Sequence, residues 1–459
     1  MDLTFLGGTG TVTGSRYLLR DAGTTVLVDC GLFQGLKSLR LRNWEPLAVP
    51  PDSIDAVVLT HAHIDHSGYL PLLVKNGFRG HVHCTHATFD LCKLLLPDSG
   101  HLQEEQARYA NGHRFSKHKP ALPLYTAADA ERALKHFTAI EYDKPRQLEG
   151  GIRIRFLPAG HILGAASVLV ETGGETGGET GGRRIVFSGD LGRPADPVMR
   201  PPATPPETDY LVVESTYGNR RHADRDPEQE LAAHLARAIE RKGVVVIPAF
   251  AVGRAQTMLH LLARIKARGA LEGVPVYLNS PMAIDATRIF HHYRAEHRLT
   301  EDECRAACGL AKMVNTPEES QALNLRSGPM IIVSASGMAT GGRVLHHLKA
   351  FAPDPRNMIL FTGFQAAGTR GAALVGGAVA VKIHGEYVPV GAEVVNLDSL
   401  SAHADYTEIL AWLRGFPRPP GKTFITHGEP AAADELRRRI TESLGWPCSV
   451  PEYLERAIL

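Results

Sequence analysis

An α/β fold is what this sequence predicts, on three observations. Short apolar runs rich in valine and isoleucine recur along the 459 residues, each the length of one buried strand. Between residues 226 and 361 these runs alternate with amphipathic helical segments, which implies a mostly parallel sheet covered on both faces. The residues able to do chemistry sit in small loops directly after the runs, where α/β sheets gather ligands. Composition is that of an ordinary globular protein, with 44% hydrophobic and 22% charged residues. The length leads us to expect two or three domains. A net charge of +1 excludes a global basic field, so any polyanion must meet a local groove or bound metals. The six cysteines form no CxxC pair, and Cys304 and Cys308 read as packing residues on one helix face. With no signal-peptide pattern and no long apolar run, the expected location is cytoplasmic, with no membrane partner.

The chain begins with a glycine-rich stretch, Gly8-Thr9-Gly10 and Gly14, that mimics a dinucleotide fingerprint. That motif needs a helix between its strands, and only Ser15 to Arg20 intervenes before the turn at Asp21-Ala22-Gly23. A β-hairpin is expected instead. Asp29 ends the following strand, Thr24 to Val28, either as a turn carboxylate or as a group orienting what comes next.

What comes next is the densest chemical signal in the chain. The strand-like run Ala56-Val57-Val58-Leu59-Thr60 leads into His61-Ala62-His63-Ile64-Asp65-His66. Three imidazoles and a carboxylate on one tight loop are ligands suited to zinc, and such a loop can aim its side chains at two ions. Gly68 to Asn76 reads as a helix, and His81 and His83 in the next strand read as structural. Residues 86–118 are helix-rich, with Gln103, Glu104, Glu105 and Asn111 on a cover for the site.

Two later strand ends supply further ligands. The run Ile152 to Leu157 leads into Pro158-Ala159-Gly160-His161, and Arg184 to Phe187 leads into Ser188-Gly189-Asp190. Glycines at both places let the backbone approach an ion closely. Between them the threefold repeat of Gly-Gly-Glu-Thr type over residues 171–182 is low-complexity, an expanded hairpin loop with no chemical role.

A proline-dense stretch, Arg193 to Pro206, marks a domain boundary. Beyond it the run Tyr210 to Val213 ends at Glu214, and the compact α/β region follows. Its strand-end loops carry Arg254, then Ser334, Ser336 and Gly337, then Gly363, Gln365 and Thr369, whose amides and hydroxyls together suit a phosphate. Toward the end, His403 lies before a helix and His427 follows the strand Thr423 to Thr426. Gly421-Lys422-Thr423 is no P-loop, because a strand follows it rather than a helix. The tally is His61, His63, His161 and Asp190 for one metal, with Asp65, His66 and His427 sharing Asp190 for a second. Two such ions can generate a hydroxide at neutral pH and steady charge on a phosphoryl group.

The HxHxDH loop, His161 and Asp190 together resemble the metallo-β-lactamase fold, an αββα sandwich. Glu214, His403 and His427 resemble the three motifs of its β-CASP branch, the nucleases of mRNA 3′-end processing and RNA decay, most closely their compact bacterial and archaeal members. The resemblance covers nearly the whole chain. It implies a β-CASP α/β domain inserted into the first, with residues 1–207 and 397–459 forming the metallo-β-lactamase domain and 208–396 the insert, and an active site in the cleft between them. It further implies that Asp29 supports the metal site, that Glu214 partners His403 as general acid, and that Asp65 belongs to the catalytic set. A histidine at position 427 implies RNA rather than DNA as substrate. The expectation is therefore a ribonuclease with two Zn²⁺ (Mn²⁺ also suits the donors), acting on single-stranded RNA and leaving 5′-phosphate and 3′-hydroxyl ends. A homodimer fits this architecture. The expectation is of a protein without the N-terminal KH domains of the archaeal relatives or the long C-terminal domain of ribonuclease J-type enzymes, which argues against tight sequence-specific RNA recognition and processive exonuclease action. The alternatives are another hydrolase on the same scaffold, such as a thioesterase or small phosphodiesterase, or a non-catalytic RNA-binding subunit.

Overall fold

The computed structural model describes residues 1–113, 116–173 and 182–459. The sequence repeat falls mainly on 174–181 and so lies outside the described residues. The chain divides into two compact units, one made of Met1–Arg221 with His403–Leu459 and the other of His222–Ala402.

The first unit holds two seven-stranded sheets. One runs in the order Arg456–Ile458, Asp2–Phe5, Tyr17–Asp21, Thr24–Val28, Ala56–Val58, His81–Thr85 and Phe137–Ile140. The glycine-rich stretch after Phe5 does lead into antiparallel pairing, Asp2–Phe5 with Tyr17–Asp21, so no dinucleotide unit forms there. The other sheet runs Cys448–Ser449, Lys422–Thr426, Tyr210–Glu214, Arg184–Phe187, Ala166–Glu171, Arg153–Pro158 and Arg146–Gln147. Side chains alternate between faces along these strands, as the period-2 geometry requires. Val168, Val170, Ile185, Phe187, Val212 and Phe424 meet Leu3, Phe5, Val26 and Val58 of the facing sheet. Their neighbours Leu169, Val186, Leu211, Val213 and Ile425 point the other way, onto Ile409, Leu413, Leu436 and Ile440 of two helices, Tyr406–Leu413 and Pro430–Leu444. On the first sheet the helices Leu70–Lys75, His86–Gly112 and Ala127–Leu134 complete the layers. The architecture is helix, sheet, sheet, helix.

The second unit is built on a six-stranded, wholly parallel sheet. Its order is Lys312–Met313, Val276–Leu278, Met330–Ser334, Val244–Pro248, Met358–Phe361 and Glu393–Asn396. Its strands are apolar without interruption because both faces are covered. Val245 and Ile247 pack on Leu235, Met258 and Leu262, whereas Val244 and Val246 pack on Val344, Leu348 and Phe351.

One boundary differs from the sequence reading. The sequence reading starts the insert at 208 and so places Tyr210–Glu214 in it. That strand pairs in parallel with both Arg184–Phe187 and Lys422–Thr426, and so is an interior strand of the first unit's second sheet. The second unit begins at His222 and ends at Ala402. The proline-dense stretch is a connection within the first unit: Trp412 donates through Nε1 to Ala203 O at 2.9 Å.

Candidate metal centre

Asp29, His61, His161, Asp190, Glu214 and His427 each sit at or just beyond the carboxyl end of a strand of the first unit. His63, Asp65 and His66 follow on the loop and short helix Ile64–Ser67. Folding converges these segments. The donor atoms of His61, His63, His161 and Asp190 all lie within 4.8 Å of one another, as do those of Asp65, His66 and His427.

Asp190 stands between the two groups and divides its carboxylate between them. Oδ2 is 3.4 Å from His61 Nε2 and 3.6 Å from His161 Nε2. Oδ1 is 3.2 Å from His66 Nε2 and 3.5 Å from His427 Nε2. Asp65 Oδ2 lies about as far from His66 Nε2 (4.0 Å) as from His427 Nε2 (3.9 Å). The residues of the sequence tally thus lie together, with the Asp190 carboxylate facing both groups. Asp190 Oδ1 and His66 Nε2 are buried and face each other at 3.2 Å without a well-aligned hydrogen bond. Poorly satisfied buried polar atoms are costly, and a bound cation would satisfy both. The imidazole and carboxylate donors suit zinc or manganese.

The far sides of the rings are held by groups that fix which nitrogen faces inward. His66 Nδ1 donates to Asp29 Oδ2 at 2.7 Å, and the Thr60 amide and hydroxyl donate to the same carboxylate at 2.8–3.0 Å. Asp29 thus sits behind the His66 ring, the place of a group that orients a ligand. Thr60 Oγ1 also lies 3.1 Å from His61 Nδ1. Ser15 Oγ lies 2.7 Å from His427 Nδ1, across 412 residues of chain. His427 itself has φ of 47°, and its amide donates to Gly8 O at 2.6 Å. Nothing in the sequence around Ser15 announces this role, although Thr60, adjoining the histidine loop, was within reach.

Glycine is required at Gly189, where φ is 56° and a Cβ would lie 2.8 Å from Thr60 Cβ. Beside it, Glu214 is fully buried and does two things. Its Oε1 accepts from Leu191 N at 2.7 Å, securing the loop that carries Asp190, and from His403 Nδ1 at 3.1 Å. His403 is held by its backbone as well, with Ala404 N donating to Leu191 O at 2.8 Å. Its ring lies 4.4 Å from that of His161, centroid to centroid.

Charge follows from these contacts. Burial lowers the pKa of His61 well below the ordinary value, reinforced by His66 beside it, and takes that of His63 to about 4. Burial also lowers His427. Neutral imidazoles are what a cation requires. Burial acts the same way on His66, but Asp190 and Asp29 outweigh it and raise the pKa. Burial works against charge on Asp190, yet His427, His66 and His61 hold its pKa well below the carboxylate range. At His403, burial is overcome by Glu214, with Asp190 and Asp65 adding, and the pKa is raised.

The phosphate-loop residues of the second unit are mostly engaged inside it. Ser334 Oγ donates to Asn279 O at 3.0 Å. Thr369 caps the helix Arg370–Val375, accepting from Ala372 N and donating to Ala366 O. Buried Arg254 donates to Leu400 O. Ser336 Oγ lies 3.0 Å from Thr340 Oγ1, and Gln365 donates to Gly337 O at 3.2 Å. A Cβ at Gly337 would press on Phe250 at 2.6 Å, so this glycine serves packing. Gly363 has φ of 103°. Gln103, Glu104 and Asn111 bind the backbone of Leu124, Ala127 and Ala121, and Glu105 lies 3.4 Å from His101 Nε2.

A helix–sheet–sheet–helix sandwich with histidines and aspartates gathered at its strand ends defines a metallo-hydrolase. The family models agree: residues 9–247 match the metallo-β-lactamase superfamily, 255–374 the β-CASP domain, and 387–451 the zinc-dependent metallo-hydrolase RNA specificity domain. The chain belongs to the metallo-β-lactamase superfamily, in its β-CASP ribonuclease branch. It is 38% identical to Ribonuclease TTHA0252 of Thermus thermophilus, across 94% of this chain and 93% of that one. It is 31% identical to the transcription termination factor FttA of Methanosarcina mazei (96% and 69%) and 30% to an RNase J-like protein of Methanocaldococcus jannaschii (98% and 97%). The fold is also that of a crystal structure of a protein of unknown function from Enterococcus faecalis, with TM-score 0.55 at 14% identity, covering 100% of this chain and 99% of that one. Among the described residues no helix is long and apolar enough to cross a membrane.

Proposed function

We propose that this chain is a zinc-dependent ribonuclease that hydrolyses phosphodiester bonds of single-stranded RNA, leaving 5′-phosphate and 3′-hydroxyl ends. The observation that carries the proposal is the division of Asp190 between two sets of inward-facing imidazoles. His61, His63, His161 and Asp190 would hold one cation, and Asp65, His66, His427 and Asp190 the other. A cation pair, when bound, supplies positive charge against phosphoryl oxygens and acidifies water. The protein's own groups do the rest. Asp29, Thr60 and Ser15 keep the rings turned inward. Asp65, more exposed than Asp29, Asp190 or Glu214, meets incoming water. His403, kept protonated by Glu214, gives its proton to the leaving 3′ oxygen. RNA as the substrate is favoured by the ribonuclease name of the Thermus relative and by the RNA specificity domain match. The reading extends to endonucleolytic action in cytoplasmic RNA processing or decay, by a homodimer, with Ser336, Gly337 and Gly363 offering amides to phosphate.

Purified protein incubated with labelled single-stranded RNA, single-stranded DNA and a thioester, with and without a chelator, tests this. Chelator-sensitive cleavage of RNA is expected, with 5′-phosphate ends. Thioester turnover without RNA cleavage would replace the reading. His403→Ala should abolish turnover while bound metal, measured by elemental analysis, is retained. Loss of metal in that variant would move His403 into the ligand set.

A further inference from the structure

The loop Cys30–Leu32 is laid directly on the histidine loop. Cys30 N donates to His66 O at 2.7 Å and Leu32 N to Ile64 O at 2.9 Å, while a Cβ on Gly31 would lie 1.6 Å from Asp65 O. The chain leaving Leu32 therefore departs from the edge of the metal centre, and its next elements are unusual. The short helix Lys37–Leu41 buries none of its residues. Leu36, Leu41 and Trp44 are 46%, 50% and 58% exposed. Lys37, Arg40 and Arg42 alternate with them, and no acidic residue lies between Leu36 and Trp44. None of the three cations has a carboxylate partner among the described residues, whereas Arg438 pairs with Glu435 and Glu442, and Arg418 with Glu207 and Asp209.

This segment is nonetheless fixed. Buried Asn43 exchanges two hydrogen bonds with the Phe33 backbone, at 2.9 and 2.8 Å, and Arg42 lies over the Tyr453 ring at 4.1 Å. Trp44 N donates to Leu41 O. An exposed indole in one fixed segment with cations that have no carboxylate partner is the pattern that holds an unpaired nucleic-acid strand, bases on the ring and phosphates on the cations.

We propose that Trp44, with Lys37, Arg40 and Arg42, is a landing surface for single-stranded RNA on the segment that follows the Cys30–Leu32 loop, stacking a base of the strand delivered for cleavage. This rests on the ribonuclease reading for its substrate, but its test does not need cleavage.

The full chain is titrated into a fluorescein-labelled, hydrolysis-resistant phosphorothioate oligouridylate while the label's anisotropy is followed at several salt concentrations. Trp44→Ala should weaken binding about 5- to 150-fold, the range for losing one base–aromatic stack. Trp44→Phe keeps a stacking face and should recover most of the affinity. Lys37→Ala with Arg40→Ala should flatten the dependence of log affinity on log salt by about 1.4. Leu325→Ala, removing a side chain 89% exposed on the other unit, should change nothing. Unchanged affinity in the Trp44 and Lys37/Arg40 variants overturns the proposal. So does a change in molar mass by light scattering in Trp44→Ala with RNA binding intact, which would make this face a contact between copies. Wild-type protein that cleaves RNA while Trp44→Ala binds it normally refutes the surface alone. Wild type that neither binds nor cleaves refutes both readings.

Discussion

Acid should weaken the second unit through one buried ring, His347. This side chain is wholly enclosed, with Nδ1 2.6 Å from Asn324 Oδ1 and Nε2 2.6 Å from Asn279 Nδ2. Asn279 cannot easily turn over, because its Oδ1 accepts from Arg343 and its Nδ2 donates to Ser320. Nε2 is therefore an acceptor, and a proton there would face another donor. Burial, with His346 and Arg343 nearby, takes the His347 pKa from 6.5 to about 4. A value lowered by folding means the unfolded chain takes up the proton first. The contribution to stability is full above about pH 7, declines as pH falls through 6.5, and stops declining below about pH 4. Its full size is about 3 kcal/mol, of which about 2 kcal/mol is lost by pH 5. Urea unfolding of wild type and His347→Gln at pH 7.5 and pH 5 isolates this ring, because other titrating groups, such as His83, are common to both proteins. Wild type should lose about 2 kcal/mol more than the variant. Equal losses would show that the ring titrates normally, and the argument from its fixed partners would fail.

Other outcomes follow from the metal centre. Asp29→Asn removes the charge that orients His66 and should weaken metal affinity about 10- to 100-fold, measured by competition with a chelating dye. An unchanged affinity would make Asp29 a turn residue only. Glu214→Gln should lower turnover on RNA by about two to four orders of magnitude with metal retained. Because Glu214 raises the His403 pKa and a general acid works only while protonated, the alkaline limb of the rate profile should move to lower pH in this variant. A limb that stays in place would assign it to another group. Ser15→Ala should weaken metal binding less than Asp29→Asn, since it removes a neutral partner of His427 rather than a charged one.

The donors were legible because metal chemistry restricts residue type and because strand ends announce themselves locally. His61, His63, Asp65 and His66 are contiguous, and His161, Asp190 and His427 each follow an apolar run. What holds them was harder to read. Ser15 reaches His427, and Tyr17 donates to Thr426 at 3.0 Å, only because strands from opposite ends of the chain lie in facing sheets. No local pattern encodes that. The boundary at 208 was misread for the same reason. A buried strand looks alike in either unit, and only its pairing with Lys422–Thr426 assigns it. The phosphate loops illustrate the converse difficulty. Ser334 and Thr369 have the right side chains at strand ends, but a hydroxyl suited to an anion is equally suited to a backbone carbonyl or a helix cap.

The strand carrying His427 has a consequence for the ribosome-bound chain. Lys422–Thr426 slots beside Tyr210–Glu214, hundreds of residues after that partner and the histidine loop have been made. Until it arrives, the nascent polypeptide has most of its imidazoles but lacks the last one. On the proposed ligand set, a nuclease assembled in this order stays unarmed beside its own messenger until that strand has been made.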